Sequence, residues 1–96
     1  MKPKAKITND KTSKSIGNNK RKPRVRNEEA IKLVGDNIRK IRESKGLSME
    51  KLAFLMDVDY AQVANMEHGR TDPSLSMLLN AADKLQVTLA QLLDKN

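Results

Sequence analysis

The sequence predicts an all-α domain of five short helices behind a basic N-terminal segment. Apolar residues recur at spacings of three and four, as at Ile31, Val34, Ile38 and Ile41, and this is the period of one helix face. Capping residues and glycines separate five such stretches, whereas no segment alternates polar and apolar residues as a strand does. The 96 residues make one domain at most, and we place it at residues 28–96.

Residues 1–27 form a basic arm. The arm holds seven Lys and three Arg against one Asp, a net charge of +9, and because the whole chain is +7, residues 28–96 carry −2. Its only large aliphatic residues are Ile7, Ile16 and Val25. Such a composition cannot offset the entropy lost on ordering, so the arm is predicted to be disordered when free. Basic arms most often bind nucleic acid and less often a membrane surface.

The first two helices are predicted on either side of Gly46. The first runs from about Glu28 to Lys45, and Gly46 suits the left-handed residue that ends a helix. Ser48 can accept a backbone N–H in the first turn of the second helix, which spans about residues 48–56. The inner face of the second helix is expected to consist of Met49, Leu52, Ala53 and Met56.

The third helix follows a tight turn at Asp57 and spans about residues 60–68. Asp59 is its predicted cap, Gln62 completes a pattern that resembles a capping box, and Gly69 ends the helix. Two short helices joined by so tight a turn form a helix-turn-helix, whose second helix fits the major groove of DNA.

The last two helices are predicted from two further caps. Ser74 begins the fourth helix after Pro73, and Thr88 forms a capping box with Gln91 for a short fifth helix. The apolar face of the fourth helix is expected to consist of Leu75, Leu78, Leu79, Ala82 and Leu85. The fifth helix carries Leu89, Leu92 and Leu93.

The composition argues against catalysis, metal binding and membrane insertion. The chain has no cysteine and one histidine, His68, so neither a catalytic Cys–His set nor a Cys-based metal site can be assembled. The four glycines are far apart and form no phosphate-binding loop. No apolar run suits a signal peptide or a membrane span. We therefore predict a cytoplasmic protein that is not an enzyme and needs neither cofactor nor metal.

Many landmark residues follow one another at fixed spacings between Val34 and Leu93. They are Gly35, Ile38, Ile41, Arg42, Gly46-Leu47-Ser48, Leu52-Ala53, Val58, Val63, Met66-Glu67, Gly69, Pro73-Ser74-Leu75, Leu78, Ala82, Leu85 and Leu92-Leu93. In this order they resemble the lambda- and Cro-repressor-like helix-turn-helix family, also called the xenobiotic-response-element (XRE) type. The resemblance implies a five-helix domain that binds double-stranded DNA, usually as a two-fold dimer on a palindromic operator.

The resemblance makes the third helix the recognition helix. Its groove-facing positions correspond to Tyr60, Ala61, Gln62, Ala64 and Asn65. The resemblance thus implies base contacts from Tyr60, Ala61, Gln62 and Asn65, and of these Asn and Gln can each read adenine through two hydrogen bonds. The alternative for Gln62 and Asn65 is ordinary polar surface, with Gln62 serving only as a cap.

Phosphate contacts are expected beside the recognition helix and along the arm. The resemblance implies contacts through Ser48, Met49 and Arg70, although Met49 stands where the family most often has Gln. It also implies a partly buried ion pair between Arg42 and Glu67, which ties the first helix to the third. The charge of the arm predicts backbone contacts through Lys20, Arg21, Lys22, Arg24 and Arg26.

The favoured function is sequence-specific binding of double-stranded DNA by a transcriptional regulator, with repression as the expected outcome. A homodimer is expected because one recognition helix reads only a few base pairs, and the last helices, with Leu89 and Leu93, are the expected interface. Such a regulator would be of bacterial or phage type and associated with the nucleoid when bound.

The alternative function is a helix-turn-helix that binds protein, such as the antitoxin of a toxin–antitoxin pair or an accessory factor. Phe54 and Leu55 motivate it, because they fall on the outer face of the second helix, where polar residues are expected. The charge of −2 on residues 28–96 also weakens the case for strong DNA binding by the domain alone. A contiguous apolar patch around Phe54 would support a protein partner.

Overall fold

The computed structural model describes residues 25–95 and contains five α-helices in that range. They are α1 (Glu28–Ser44), α2 (Met49–Met56), α3 (Tyr60–Glu67), α4 (Leu75–Leu85) and α5 (Leu89–Leu92). No strand occurs in residues 25–95, so the predicted all-α fold with five helices is confirmed. The predicted disorder of the basic arm concerns residues 1–24 above all, and these lie outside the described residues.

Side-chain caps begin the helices at the predicted positions. Ser48, Ser74 and Thr88 each accept a hydrogen bond from the backbone N–H three residues later, at 3.0, 3.0 and 3.1 Å. Asn27, which was not predicted as a cap, accepts the N–H of Ala30 at 2.9 Å and begins α1. Each cap satisfies a donor that the helix itself leaves without a partner, which gives even the short α5 a defined start.

All five helices contribute to one apolar core. Its fully buried large side chains are Ile38 of α1, Leu52 of α2, Val63 and Met66 of α3, Leu85 of α4 and Leu92 of α5. Burial of such side chains is the dominant favourable term in folding. The inner face of α3 is thereby held in the core, and its outer face is left to solvent.

Gly35 allows α1 and α3 to approach closely. A Cβ at this position would lie 2.6 Å from the carbonyl oxygen of Met66 and 2.7 Å from that of Glu67. These distances are too short for a carbon against backbone atoms, so only glycine fits without moving a helix. The last turn of α3 therefore rests directly on the backbone of α1.

Two amide side chains join the helices through backbone carbonyls. Asn37 is buried in α1, and its Nδ2 donates to the carbonyl oxygens of Leu92 at 2.9 Å and Asp94 at 2.8 Å. Asn80 of α4 donates through Nδ2 to the carbonyl oxygen of Met56 at 2.9 Å. These bonds satisfy carbonyls at the ends of α5 and α2, which have no partner within their own helices.

The apolar face of α4 differs from the prediction. Ala82 and Leu85 are buried and Leu78 is half-buried, but Leu75 and Leu79 are 62% and 48% exposed. At 100° per residue, Leu75 and Leu79 stand at one edge of the stripe, and the buried side also includes Ala81 at the other edge. Leu75 and Leu79 therefore lie on the predicted apolar face of α4 but are not buried in the core.

Candidate nucleic-acid interface

A left-handed residue sets the angle between α2 and α3. Asp57 ends α2 with φ 59° and ψ 47°, and the N–H of Val58 then reaches back to the carbonyl oxygen of Ala53 at 3.1 Å. This arrangement satisfies the end of α2 as a helix C-cap does, and Val58 packs against the core. The chain can therefore begin α3 after only the cap residue Asp59.

The two faces of α3 have different environments. Val63, Met66 and Glu67 are buried against the core. Tyr60, Ala61 and Gln62 are exposed and Asn65 is half-buried on the other side, where the prediction placed base contacts. Ala64 was predicted to face the groove but is only 8% exposed, because it belongs to the edge of the core-facing side.

The side chain of Gln62 folds back onto the start of α3. Its Oε1 accepts the backbone N–H of Asp59 at 3.1 Å, so the capping-box contact inferred from the sequence is present. The interpretation of Gln62 as a cap therefore describes part of what this side chain does. Its Nε2 makes no hydrogen bond within residues 25–95.

Asn65 and Arg70 are bonded to each other at the C-terminal end of α3. Nε of Arg70 donates to Oδ1 of Asn65 at 2.8 Å, and the backbone N–H of Arg70 donates to the carbonyl oxygen of Asn65 at 2.9 Å. No carboxylate within residues 25–95 lies within 4 Å of the Arg70 guanidinium. The guanidinium charge thus lies beside the exposed face of α3.

Arg42 and Glu67 form a buried, bidentate ion pair. Nε and Nη2 of Arg42 donate to Oε2 and Oε1 of Glu67 at 2.7 and 3.0 Å, and the side chains are 9% and 2% exposed. A third donor, Nη1, bonds the carbonyl oxygen of Leu47 at 2.7 Å. The hydrogen bond with Glu67 raises the pKa of the Arg42 guanidinium above its usual value. One side chain thus connects α1, α3 and the residue before the cap of α2.

The N-terminus of α2 lies beside the first residue of α3. Arg42, Ser48, Met49, Glu50 and Tyr60 line a single cleft of about 310 Å³. Ser48 is exposed, whereas Met49 is half-buried and its side chain packs against the core. Met49 can therefore offer a phosphate its backbone N–H but not its side chain.

The basic arm joins the domain next to Arg70. Arg26 and Arg70 line one cleft together with Thr71 and Asp72. Nε of Arg26 donates to Oε2 of Glu28 at 2.8 Å, and this bond lowers the pKa of the Glu28 carboxyl. The other predicted phosphate contacts of the arm, which are Lys20, Arg21, Lys22 and Arg24, lie outside the described residues.

Phe54 is strongly exposed on the outer face of α2. Its side chain is 76% exposed, and the Lys51 ammonium lies 5.5 Å from the ring centroid, which is within cation–π range. Leu55 beside it is half-buried. The aromatic ring is therefore available to a partner, although its neighbours do not form a wide apolar patch.

The part of the chain that the structure describes holds neither a cluster of metal-binding side chains nor a helix able to cross a membrane. Within residues 25–95, no three His, Cys, Asp or Glu side chains are grouped so that they could hold a metal ion. None of the helices in that range has the length and apolar character needed to cross a bilayer. His68, at the end of α3, has its Nδ1 2.7 Å from the carbonyl oxygen of Ala64.

The geometry defines a helix-turn-helix domain with an exposed second helix. A family model described as helix-turn-helix, HTH_3, matches residues 38–92, which is more than half of the chain. The chain therefore belongs to the HTH_3 helix-turn-helix family, and the predicted XRE-type resemblance is confirmed. The curated proteins include no match to this chain.

Solved structures similar to this chain include several regulators. The restriction-modification controller protein C.AhdI from Aeromonas hydrophila is 35% identical with a TM-score of 0.63, and the match covers 65% of this chain and 94% of that one. The hypothetical transcription factor NHTF from Neisseria is 30% identical with a TM-score of 0.66, over 76% and 85%. The biofilm regulator SinR, solved in complex with DNA, is 31% identical with a TM-score of 0.60, over 64% and 98%.

Proposed function

We propose that this protein binds double-stranded DNA sequence-specifically and regulates transcription from the nucleoid. The observation that carries the proposal is the outer face of α3, which is formed by Tyr60, Ala61, Gln62 and Asn65. The opposite face of the same helix is buried in the core. An α-helix presented in this way fits the major groove. The likeness to C.AhdI, a controller protein, and to SinR, solved with DNA, supports the same function.

The proposed phosphate contacts of the domain lie beside the start of α3. The N-terminus of α2 offers the Ser48 hydroxyl and the Met49 N–H, and the helix dipole favours an anion there. Arg70 carries the positive charge at the other end of α3. Because Met49 replaces a side-chain donor, we assign less of the backbone affinity to α2 than is usual for the family.

We assign most of the sequence-independent affinity to the basic arm. The domain of residues 28–96 carries −2, and Asp57, Asp59 and Asp72 lie close to the ends of α3. The arm carries +9 and is joined to the domain beside Arg70. Neutralisation of phosphates by Lys and Arg releases counterions, and this term supplies most non-specific binding.

A homodimer is proposed because one α3 reads only a few base pairs. Leu75 and Leu79 of α4 and Leu93 after α5 are 62%, 48% and 45% exposed, which leaves their apolar surface open to a second copy. Leu89, expected in the interface, is instead half-buried against the core. The proposed dimer surface therefore centres on Leu75, Leu79 and Leu93. Repression is the simplest mode, since a dimer on an operator excludes other proteins from that DNA.

Selection of random duplex DNA by the purified full-length chain at moderate salt tests the function. We expect an enriched palindrome, because two α3 helices related by a two-fold axis read inverted half-sites. Tyr60→Ala should weaken binding to the enriched site, whereas Lys40→Ala, on the exposed surface of α1, should not. A selection that enriches no sequence would contradict the proposal.

A second candidate function is binding of a protein partner through α2. The observation that favours it is the 76% exposure of Phe54, because a large aromatic side chain on a surface is characteristic of interfaces. Leu55 is half-buried and adds little apolar area beside it. If the selection from random duplex DNA enriched no sequence, protein binding through α2 would become the favoured function.

A further inference from the structure

We propose that Arg70, held in place by Asn65, reads a guanine, and that Asn65 is a positioning residue and not an adenine reader. The inference deepens the proposed function and rests on it. It replaces the expectation that Arg70 serves a phosphate and that Asn65 and Gln62 each read adenine. Two hydrogen bonds within the protein carry it, one at each end of the exposed face of α3.

The chemistry of the donors fixes which way each amide points. Nε of Arg70 can only donate, so the atom 2.8 Å from it must be the oxygen of Asn65. The backbone N–H of Asp59 can also only donate, so the atom 3.1 Å from it must be the oxygen of Gln62. Both amides therefore have their acceptors bonded within the protein, and both direct an NH₂ group elsewhere.

Each amide oxygen already accepts one hydrogen bond within the protein, so the polar groups of Asn65, Gln62 and Arg70 that have no partner within residues 25–95 are all donors. They are Nδ2 of Asn65, Nε2 of Gln62, and Nη1 and Nη2 of Arg70, none of which makes a hydrogen bond within residues 25–95. Adenine requires a donor and an acceptor from one amide, because its major-groove edge offers N7 and the N6 amino group. Guanine offers two acceptors, O6 and N7. The donor set matches guanine.

Arg70 is also held where a base contact is geometrically favoured. Its backbone N–H and its Nε both bond Asn65, so the side chain is tied to α3 at two points. The bond at Nε leaves Nη1 and Nη2 as a planar pair of donors, which is the pair that arginine uses against O6 and N7 of guanine. No carboxylate within residues 25–95 forms an ion pair with this guanidinium, although Asp72 lines the same cleft.

Quantitative binding to the selected site and its single-base variants tests the inference. We expect a guanine at one position of each half-site, with its replacement by adenine costing roughly 5- to 150-fold in affinity. Replacement by 7-deazaguanine, which removes only N7, should cost part of that factor. Arg70→Ala should abolish the preference for guanine at this position and leave preferences elsewhere intact.

Two substitutions at Asn65 separate positioning from direct reading. Asn65→Ala removes the acceptor for Nε of Arg70 and should weaken the guanine preference, with no additional effect in the Arg70→Ala background. Asn65→Asp keeps an acceptor, so it should retain the guanine preference while its charge lowers affinity for every duplex alike. Thermal unfolding of each variant establishes that the domain is folded.

The outcomes distinguish this inference from the function on which it rests. The guanine assignment would be overturned if the enriched site had adenine at the position sensitive to Asn65 and if Arg70→Ala changed the preference for no base. DNA binding itself would stand in that case. If Arg70→Ala lowered the affinity for all duplexes equally, Arg70 would be assigned to a phosphate contact and not to a guanine. Selection of no sequence at all would overturn the proposed function itself.

Discussion

At the scale of single residues, the ion pair of Arg42 and Glu67 ties α3 to α1. The pair is almost fully buried, and the third bond from Arg42 to the carbonyl of Leu47 extends it to the segment before α2. A charge in the core is tolerated only when it is paired and hydrogen-bonded. Removal of one partner should therefore affect the position of α3 as well as stability.

Glu67→Ala should lower the free energy of unfolding by about 3–5 kcal/mol, because it leaves the Arg42 charge buried without its partner. Urea denaturation measures this change. Glu43→Ala is the matched control, since Glu43 is exposed and 3.9 Å from the same guanidinium; its effect should stay within about 0.5 kcal/mol. Equal effects of the two substitutions would contradict the structural role of Glu67.

The residue scale also shows where prediction from the sequence ends. Helical periodicity is enough to place Tyr60, Ala61, Gln62 and Asn65 on the outer side of α3, and the structure agrees. The hydrogen bond between Asn65 and Arg70 depends on how the chain turns after α3, which periodicity does not describe. For this reason the sequence identified the face of α3 but not which atoms of it remain available to DNA.

At the scale of the helices, local signals predicted more than tertiary ones. Ser48, Ser74 and Thr88 cap their helices as expected, because a cap depends only on residues within one turn. The burial of α4 was predicted less well, because the width of a buried stripe depends on which neighbouring helices cover it. Leu75 and Leu79 fit the spacing of the stripe, but no helix within residues 25–95 covers them.

Gln86→Gly should stabilise the end of α4. Gln86 is the C-cap, with φ 61° and ψ 43°, a left-handed conformation that costs a residue with a Cβ about 1–2 kcal/mol. Glycine adopts it without strain, so we expect a gain of about 1 kcal/mol and a rise in Tm of roughly 4–8 °C. Gln86→Ala keeps the strain and should give no such rise. A lower Tm for the glycine variant would show that the Gln86 side chain stabilises the fold.

At the scale of the whole molecule, the excess positive charge and the helix-turn-helix are on separate parts of the chain. Counting charges was sufficient to predict this separation, since the arm is +9 and the remainder is −2. The sequence could not tell which side of the domain the arm joins, because that depends on how α1 packs against the loop after α3. The structure places Arg26 beside Arg70, just after the end of α3.

Replacing Lys20, Arg21, Lys22 and Arg24 by Gln should weaken DNA binding mainly at low salt. The plot of log affinity against log salt should become less steep by about 0.9 for each phosphate that the arm no longer neutralises. The order of preference among operator variants should stay the same, because phosphate contacts carry no sequence information. Fluorescence anisotropy across a salt series measures both quantities. An unchanged slope would show that these four residues do not bind DNA.

The junction at Arg26 has a consequence for how the protein would search for its site. A charged arm tethered beside the recognition helix acts as a second module on a short linker, with an effective concentration that reaches the millimolar range. When α3 leaves an incorrect sequence, such an arm keeps the chain on the duplex, so the next encounter is intramolecular. The arm would thus determine how many base pairs the protein samples before it dissociates from DNA. The proposed base contacts of α3 and Arg70 would determine the sequence at which it remains bound.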